Sequence, residues 1–404
     1  GALLVRRLTR NFRAVAPVTR SVLPFGDRLQ AAAPNYTAIR HDLETFVLGL
    51  PLISDLGDAA PMLQRRDGRT TALLFRTNGQ ALVASGRLFE LGVAHRLQRT
   101  ASDRAAPSWI SAALSGFESP RIGRRRLMEH LGSLTGRYPL AANDMWRELK
   151  VLDRRRSDDV DLHVIAEKIR DGAIPEELNV VPTEPVTVSS IHRAKGLEFD
   201  RVVCGEPAVS RVDEVDEGEE ARVVYVALTR ARSEVYVLRL PDTKGMKTAF
   251  WAGGRWFRQA YRGNARPVVA FEVCGSDVDA TEPTGASGFD DCDIKETQDY
   301  LRNRVASGDA VELILGTGIP SGNRPYFVIH HQGRPIGVMS QAFSELFERV
   351  LRRGGVGWPT RINGLHVDFV DAVAGHAAVG AAHGLGVSGV WSRVRVFGLG
   401  DLEY

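Results

Sequence analysis

Apolar positions along this chain change period several times, and each change predicts an element. TALLFRT (71–77) is a compact apolar run bounded by polar residues and reads as a buried strand. In GQALVASGRLFELG (79–92), Leu82, Leu88, Phe89 and Leu91 recur at helical spacing and Gly92 closes the helix. VAHRLQR reads as a second strand. Before these, residues 1–35 read as an incoming strand or loop and a short helix around Val15 to Leu29. Residues 100–180 are arginine-rich and helical in pattern, as in RRRLMEHLGSL and DLHVIAEKIRDG. From 186 the strands return: VTVSSI, DRVVCGE and SEVYVLRL are strands, RAKGLEF is a turn into or out of a short helix, and EEARVVYVALTRAR is a helix.

Strands alternating with helices predict an α/β fold with a mainly parallel sheet covered on both faces. CGSDVDATEPTGASGFDDCD (274–293) is rich in Gly, Ser, Thr, Pro and Asp and reads as a linker. Beyond it, AVELIL, RPYFVIHHQGRPIGVMS, INGLHVDFVDAV and SRVRVFGL are short β-like runs around one amphipathic helix, SQAFSELFERVLRR (340–353). The expected organisation is an α/β domain in two parts, 1–99 and 184–270, with a helical insertion at 100–183. A linker at 271–294 then leads to a small β-rich domain, SH3-like or another small barrel, at 295–404.

The composition adds exclusions. With 404 residues, 44% hydrophobic and 25% charged, the chain is globular and long enough for two or three domains. No apolar run reaches the ~18 residues of a membrane span, and the first residues lack a signal peptide's apolar core, so a cytoplasmic protein is the economical reading. Three cysteines are too few and too scattered for a disulfide framework or a zinc site. A net charge of +3 means that nucleic-acid binding has to be argued from local patches.

Two stretches carry the chemistry, SSIHRAKGLEFDRVV (189–203) and EEARVVYVALTRAR (219–232). They resemble motifs V and VI of the UvrD/Rep family of superfamily-1 DNA helicases, close to T-x-H-x-A-K-G-L-E-F and E-E-R-R-L-x-Y-V-A-x-T-R-A. LTRNFRA (8–14) is similar to the family's motif IV, and LLFRTNGQA (73–81) to the strand motif that follows it. The resemblance covers roughly residues 1–240, with 100–180 only by position, and implies the second RecA-like domain of a motor driven by ATP.

By that resemblance, Arg13 and Arg230 are the pair of arginine fingers on the γ-phosphate, where a planar guanidinium bridges oxygens that gain charge. Phe12 stands where the family stacks a tyrosine on adenine. Gly196 permits close backbone approach, and Glu198 meets the ribose. Ser190 and His192 fall where the family touches the tracking strand. Arg76 and Asn78 end a strand, where open α/β sheets place ligands, and read as phosphate contacts.

There is no G-x-x-x-x-G-K-[ST] loop and no D-E-x-Q-D segment; DEVDEGEE (213–220) reads as an acidic loop. The chain is therefore expected to be the C-terminal half of a helicase, inactive alone, with Mg2+ held mainly by an N-terminal RecA-like lobe supplied in cis or in trans. The expected partners are single-stranded or partly duplex DNA and a protein docked on the β-rich domain, with no membrane. The arginine clusters 124–126 and 154–156 read either as contacts to duplex phosphates or as a solvated helix face. A D-x-K at Asp293–Lys295 matches the end of a metal-nuclease signature, without a convincing pair of upstream acids or β-hairpin context. The rival reading is a non-catalytic DNA- or partner-binding module derived from a helicase lobe.

Overall fold

The structure, a computed structural model, describes residues 16–98, 105–180, 184–206, 216–261, 266–286, 292–316 and 325–404. Phe12 and Arg13 lie outside the described residues. The chain divides into two compact units, 1–100 with 183–243, and 101–182 with 244–404.

The first unit is built on six parallel strands: β1 (Leu52–Ile53), β2 (Thr71–Phe75), β3 (Arg96–Leu97), β4 (Val186–Ser190), β5 (Phe199–Gly205) and β6 (Ala231–Leu238), in the order β1-β6-β5-β2-β4-β3. Every residue of β2 and β4 is buried. That is why both strands read as unbroken apolar or small-residue runs rather than alternating ones. Helices α1 (Tyr36–Leu48), α2 (Asn78–Glu90) and α3 (Glu217–Leu228) flank the sheet. Ile39, Leu43 and Val47 of α1 pack with Ala221, Val223 and Ala227 of α3 and with Ala72 and Leu74 of β2. The single helix expected at 15–29 is two short ones, Pro17–Arg20 and Leu23–Leu29.

VAHRLQR yields only the two-residue edge strand β3. His95 turns inward instead, with Nε2 2.7 Å from the Ser85 hydroxyl and Nδ1 2.8 Å from the Val93 carbonyl.

The second unit corrects the expected domain boundaries. A nine-stranded antiparallel sheet runs in the order Met246–Thr248, Trp256–Gln259, Val268–Val273, Val390–Glu403, Arg361–Ala374, Ala310–Leu315, Phe327–His331, Arg334–Val338, and the short strand Ala106–Pro107 also pairs with Arg361–Ala374. The sheet thus starts well before residue 295. Its two end strands do not pair with each other among the described residues, so no closed barrel forms.

The helical segment is also part of this unit. Trp109, Leu127, Leu131, Met145, Leu149 and Ile165 share one core with Ala372 and Val390 of the sheet. The Ser111 and Ser392 hydroxyls meet at 2.6 Å, and Gln298 makes two hydrogen bonds to the Ser392 backbone.

The Gly- and Asp-rich stretch is folded rather than a tether where it is described. Asp277 is buried, accepts from the Cys274 N–H at 2.8 Å and pairs with Arg255 at 2.7 Å, and Val278 bridges Met339. Its composition encodes tight turns. Asp293 caps the helix Ile294–Arg304 by accepting from the Glu296 N–H. The arginine clusters are partly engaged within the unit: Arg155 donates to Asp153 at 2.8 Å, Arg124 lies over Trp146 and Arg126 over Phe117, while Arg125, Arg154 and Arg156 are exposed.

Candidate functional site

Parallel strands give the first unit two chemically distinct edges. At the carboxyl edge, β2 ends at Phe75 level with Ser190 of β4. Beyond β2 the chain turns through α2 to the β3 side, and beyond β5 it turns through α3 to the β6 side. This divergence opens a crevice at the strand ends, the usual place for a ligand in an open α/β sheet. A cavity of about 340 Å³ lies there, lined by Arg40, Arg76, Ile191, Cys204 and Glu220 with the apolar face of α3.

The groups at this edge are mostly held by carboxylates. Asp216 caps α3 by accepting from the Gly218 and Glu219 N–H groups, so Glu217, Glu219 and Glu220 belong to the first helical turn, where the helix dipole favours them. The expected acidic loop is, over these residues, a helix start. Arg76 donates to Glu220 through Nε at 3.0 Å and a terminal nitrogen at 2.7 Å, and lies 3.4 Å from Glu219. Hydrogen bonding to Glu220 outweighs burial and raises the Arg76 pKa. Arg40 donates to Glu44 at 2.8 Å and Glu217 at 3.0 Å; burial opposes its charge, and these two carboxylates overcome it.

Two guanidinium groups thus face four carboxylates, and Arg76, expected from the sequence as a phosphate contact, is held by Glu219 and Glu220. Ser190 is buried at the end of β4, and its carbonyl accepts from Ala194, closing the next turn. Asn78 is the first residue of α2, and its Oδ1 is buried with no hydrogen-bond partner. His192 alone of the four expected strand contacts is exposed, with Nε2 3.9 Å from Glu219.

The amino edge holds the other set. The turn 191–198 carries the chain from the end of β4 back to the start of β5, with no helix inside it. Gly196 has φ +91°, and a Cβ there would meet no atom within 4 Å, so glycine is required by backbone conformation rather than by lack of room. Arg230 sits between α3 and β6. It donates to the carbonyls of Val226 and Leu197, both at 3.1 Å, and to the Thr229 hydroxyl at 3.3 Å. The Phe199 N–H donates to the Arg230 carbonyl at 2.9 Å, and Glu198 pairs with Arg232 at 3.2 Å.

Gly196, Glu198 and Arg230 are therefore brought together, on the opposite edge of the sheet from His192, Ser190, Arg76 and Asn78. Among the described residues, no cluster of three or more His, Cys, Asp or Glu could hold a metal ion. The partners the sequence reading missed are Arg40, Glu44, Glu217, Glu219 and Glu220; the paired glutamates opening the 219–232 stretch were the available signal.

The stretch that supplies both edges, residues 185–238, matches the UvrD-like helicase C-terminal domain. The match spans β4, β5, α3 and β6 and contains both motif-bearing stretches. Among solved structures, the C-terminal domain of a possible DNA helicase from Lactobacillus plantarum WCFS1 is similar at 12% identity, over 57% of this chain and 88% of that one, with a TM-score of 0.26. No curated protein matches the chain. No helix among the described residues is long and apolar enough to cross a membrane.

Proposed function

We propose that the UvrD-like unit is the second motor lobe of an ATP-dependent DNA helicase or translocase. The observation that carries this reading is the interlock at the amino edge. Residues 196–199 and 229–232 are far apart in sequence, yet they are joined by the Phe199–Arg230 and Arg230–Leu197 hydrogen bonds and the Glu198–Arg232 ion pair. A fork of guanidinium donors is thereby fixed beside a carboxylate and a glycine turn. These are groups suited to a γ-phosphate, a ribose and a closely approaching triphosphate.

In this reading Arg230, joined by Arg13, stabilises the charge that develops on the transferred phosphoryl group. Glu198 accepts from the ribose hydroxyls and Phe12 stacks on the base. His192, at the other edge, contacts single-stranded DNA without reading its sequence. Asn78, Arg76 and Ser190 stand behind it and fix the ends of α2, α3 and β4. ATP and Mg2+ are completed by an N-terminal RecA-like lobe in cis or in trans, which supplies the loop around the β- and γ-phosphates.

The test is DNA-stimulated ATP hydrolysis by this chain joined to, or mixed with, such a lobe. Arg230→Ala is expected to lower turnover by a factor on the order of 10³ or more, the scale of an arginine finger, while nucleotide binding persists. Arg230→Lys keeps the charge but loses the fork, and is expected to restore little of the rate. Turnover close to that of the unchanged protein in the folded Arg230→Ala variant rejects the motor reading and favours a non-catalytic binding module.

A further inference from the structure

On the second unit, the segment Phe250–Ala252 is a tight turn that projects one aromatic side chain fully into solvent: Phe250 is 100% exposed. The turn is rigidly built. Gly253 N–H donates to the Phe250 carbonyl, Ala252 and Gly254 N–H groups both donate to Ala249, and the Thr248 hydroxyl donates to Gly254. Gly253 and Gly254 take left-handed conformations to close it. The next residue, Trp251, is anchored against Phe257 with ring centroids 5.2 Å apart.

Beside this turn runs the helix Gln341–Gly354, which places Arg349, Arg352 and Arg353 on one face at i, i+3 and i+4. Together these residues line an open groove of about 540 Å³. Arg353 lies over the Trp251 ring at 5.1 Å, and Arg352 pairs with Glu348 at 2.6 Å. Arg349 and Arg353 are exposed on this face. The helix dipole and the Glu348 pair account for arginines in the last turn. They do not account for Arg349, nor for a phenylalanine held out in water by a constrained turn.

An aromatic face beside a row of guanidinium groups matches the chemistry of a single-stranded nucleic acid, whose bases stack on π faces while its phosphates meet the cations. We infer that this groove is a second binding site for single-stranded DNA, with Phe250 as a stacking platform and Arg349, Arg352 and Arg353 as phosphate contacts. The groove's chemistry stands on its own; the choice of DNA rests on the proposed motor function.

The test is nucleotide-free binding of a dye-labelled oligothymidylate to the full chain, followed by anisotropy across a salt series. Phe250→Ala is expected to weaken binding roughly 5- to 150-fold, the loss of one base–aromatic stack. Replacing both Arg349 and Arg353 with alanine is expected to reduce the slope of log K against log salt by about 1.4, from ~0.7 per phosphate contact on a single strand. Phe250→Trp should keep the affinity and gain an indole whose fluorescence the oligonucleotide quenches, whereas Phe250→Leu should behave like Phe250→Ala. Because Phe250 is fully exposed, its variants should melt with the unchanged protein.

Unchanged binding in Phe250→Ala overturns the inference, as does full binding by Phe250→Leu. Tighter, Phe250-dependent capture of a poly-glutamate peptide overturns it too, by making the partner a protein. The outcome is separable from the motor reading: Arg230→Ala should disable turnover and leave this binding intact. Binding lost in Arg230→Ala but kept in Phe250→Ala would sink the groove alone.

Discussion

The Arg76–Glu220 pair offers the sharpest check on how the carboxyl edge is built. Arg76 meets Glu220 through two nitrogens, at 3.0 and 2.7 Å, with about a third of the arginine side chain and a quarter of the glutamate exposed. Fully exposed pairs contribute ~0.2–1 kcal/mol, and breaking a fully buried pair costs ~3–5 kcal/mol. A bidentate, half-buried pair falls between these limits, so a double-mutant cycle with Arg76→Ala and Glu220→Ala should give a coupling of about 1–2 kcal/mol. The helix-dipole benefit that Glu220 also brings to α3 is common to both arms and cancels. All six tryptophans lie in the second unit, so their fluorescence does not report on this one. Far-UV dichroism and amide exchange in α3 during urea unfolding are the appropriate probes. Glu220→Gln then separates the two roles. If Arg76 braces the start of α3, that variant loses stability and gains no affinity for oligonucleotides. A coupling below about 0.5 kcal/mol would refute the reasoning; so would a stable Glu220→Gln protein that binds DNA more tightly, because Arg76 would then be a phosphate ligand.

Two further outcomes follow from titratable groups drawn away from water. Burial pushes the His366 pKa down to about 4. The unfolded chain, titrating near ~6.5, therefore takes up the proton first, and stability present above that value falls as pH drops toward 4. Tryptophan-monitored urea midpoints at about pH 7 and about pH 5 should differ more for the unchanged protein than for His366→Gln, and equal differences would exclude His366 as the cause. Cys204 is buried and its thiol is pushed up to about 12, whereas Cys274 and Cys292 are only partly buried. A thiol-disulfide reagent at mildly alkaline pH should leave Cys204 unmodified until the protein unfolds, as read by mass spectrometry of the labelled peptides.

What the sequence disclosed was whatever is local or buried on both sides. Strands β2, β4, β5 and β6 were legible because a parallel sheet covered by helices demands continuous apolar or small residues. The turn around Gly196 was legible because its backbone needs a residue without a Cβ. The affiliation of residues 101–182 was not legible, because it rests on non-local pairings, Ala106 with Ala372 and Pro107 with Asp371, which no local periodicity encodes. The state of Arg76 was hidden for the same reason. Its glutamate partners are more than 140 residues away in sequence, and a strand-end arginine looks alike whether it faces phosphate or carboxylate.

The separation of the two residue sets along one sheet gives the motor reading a physical route between them. Helix α3 has twelve residues and so spans ~18 Å. Its first turn holds Arg76 through Glu220 and approaches His192 through Glu219; its last turn holds Arg230 through the Val226 carbonyl. Between these ends the helix packs on α1 and on the sheet through Ala221, Val223 and Ala227. A displacement of Arg230 toward a nucleotide would break hydrogen bonds to the last turn and to Leu197. The 191–198 turn leads back from Leu197 to His192. Two covalently independent connections, one helix and one turn, therefore link the same pair of edges. A rigid helix shifts as a unit, whereas a glycine-containing turn can absorb displacement, so the helix is the better carrier of any coupling between nucleotide and strand. Loosening the helix's first turn with Glu220→Gln should for that reason reduce DNA stimulation of ATP hydrolysis more than it reduces the DNA-independent rate. Equal loss of both would place the coupling elsewhere.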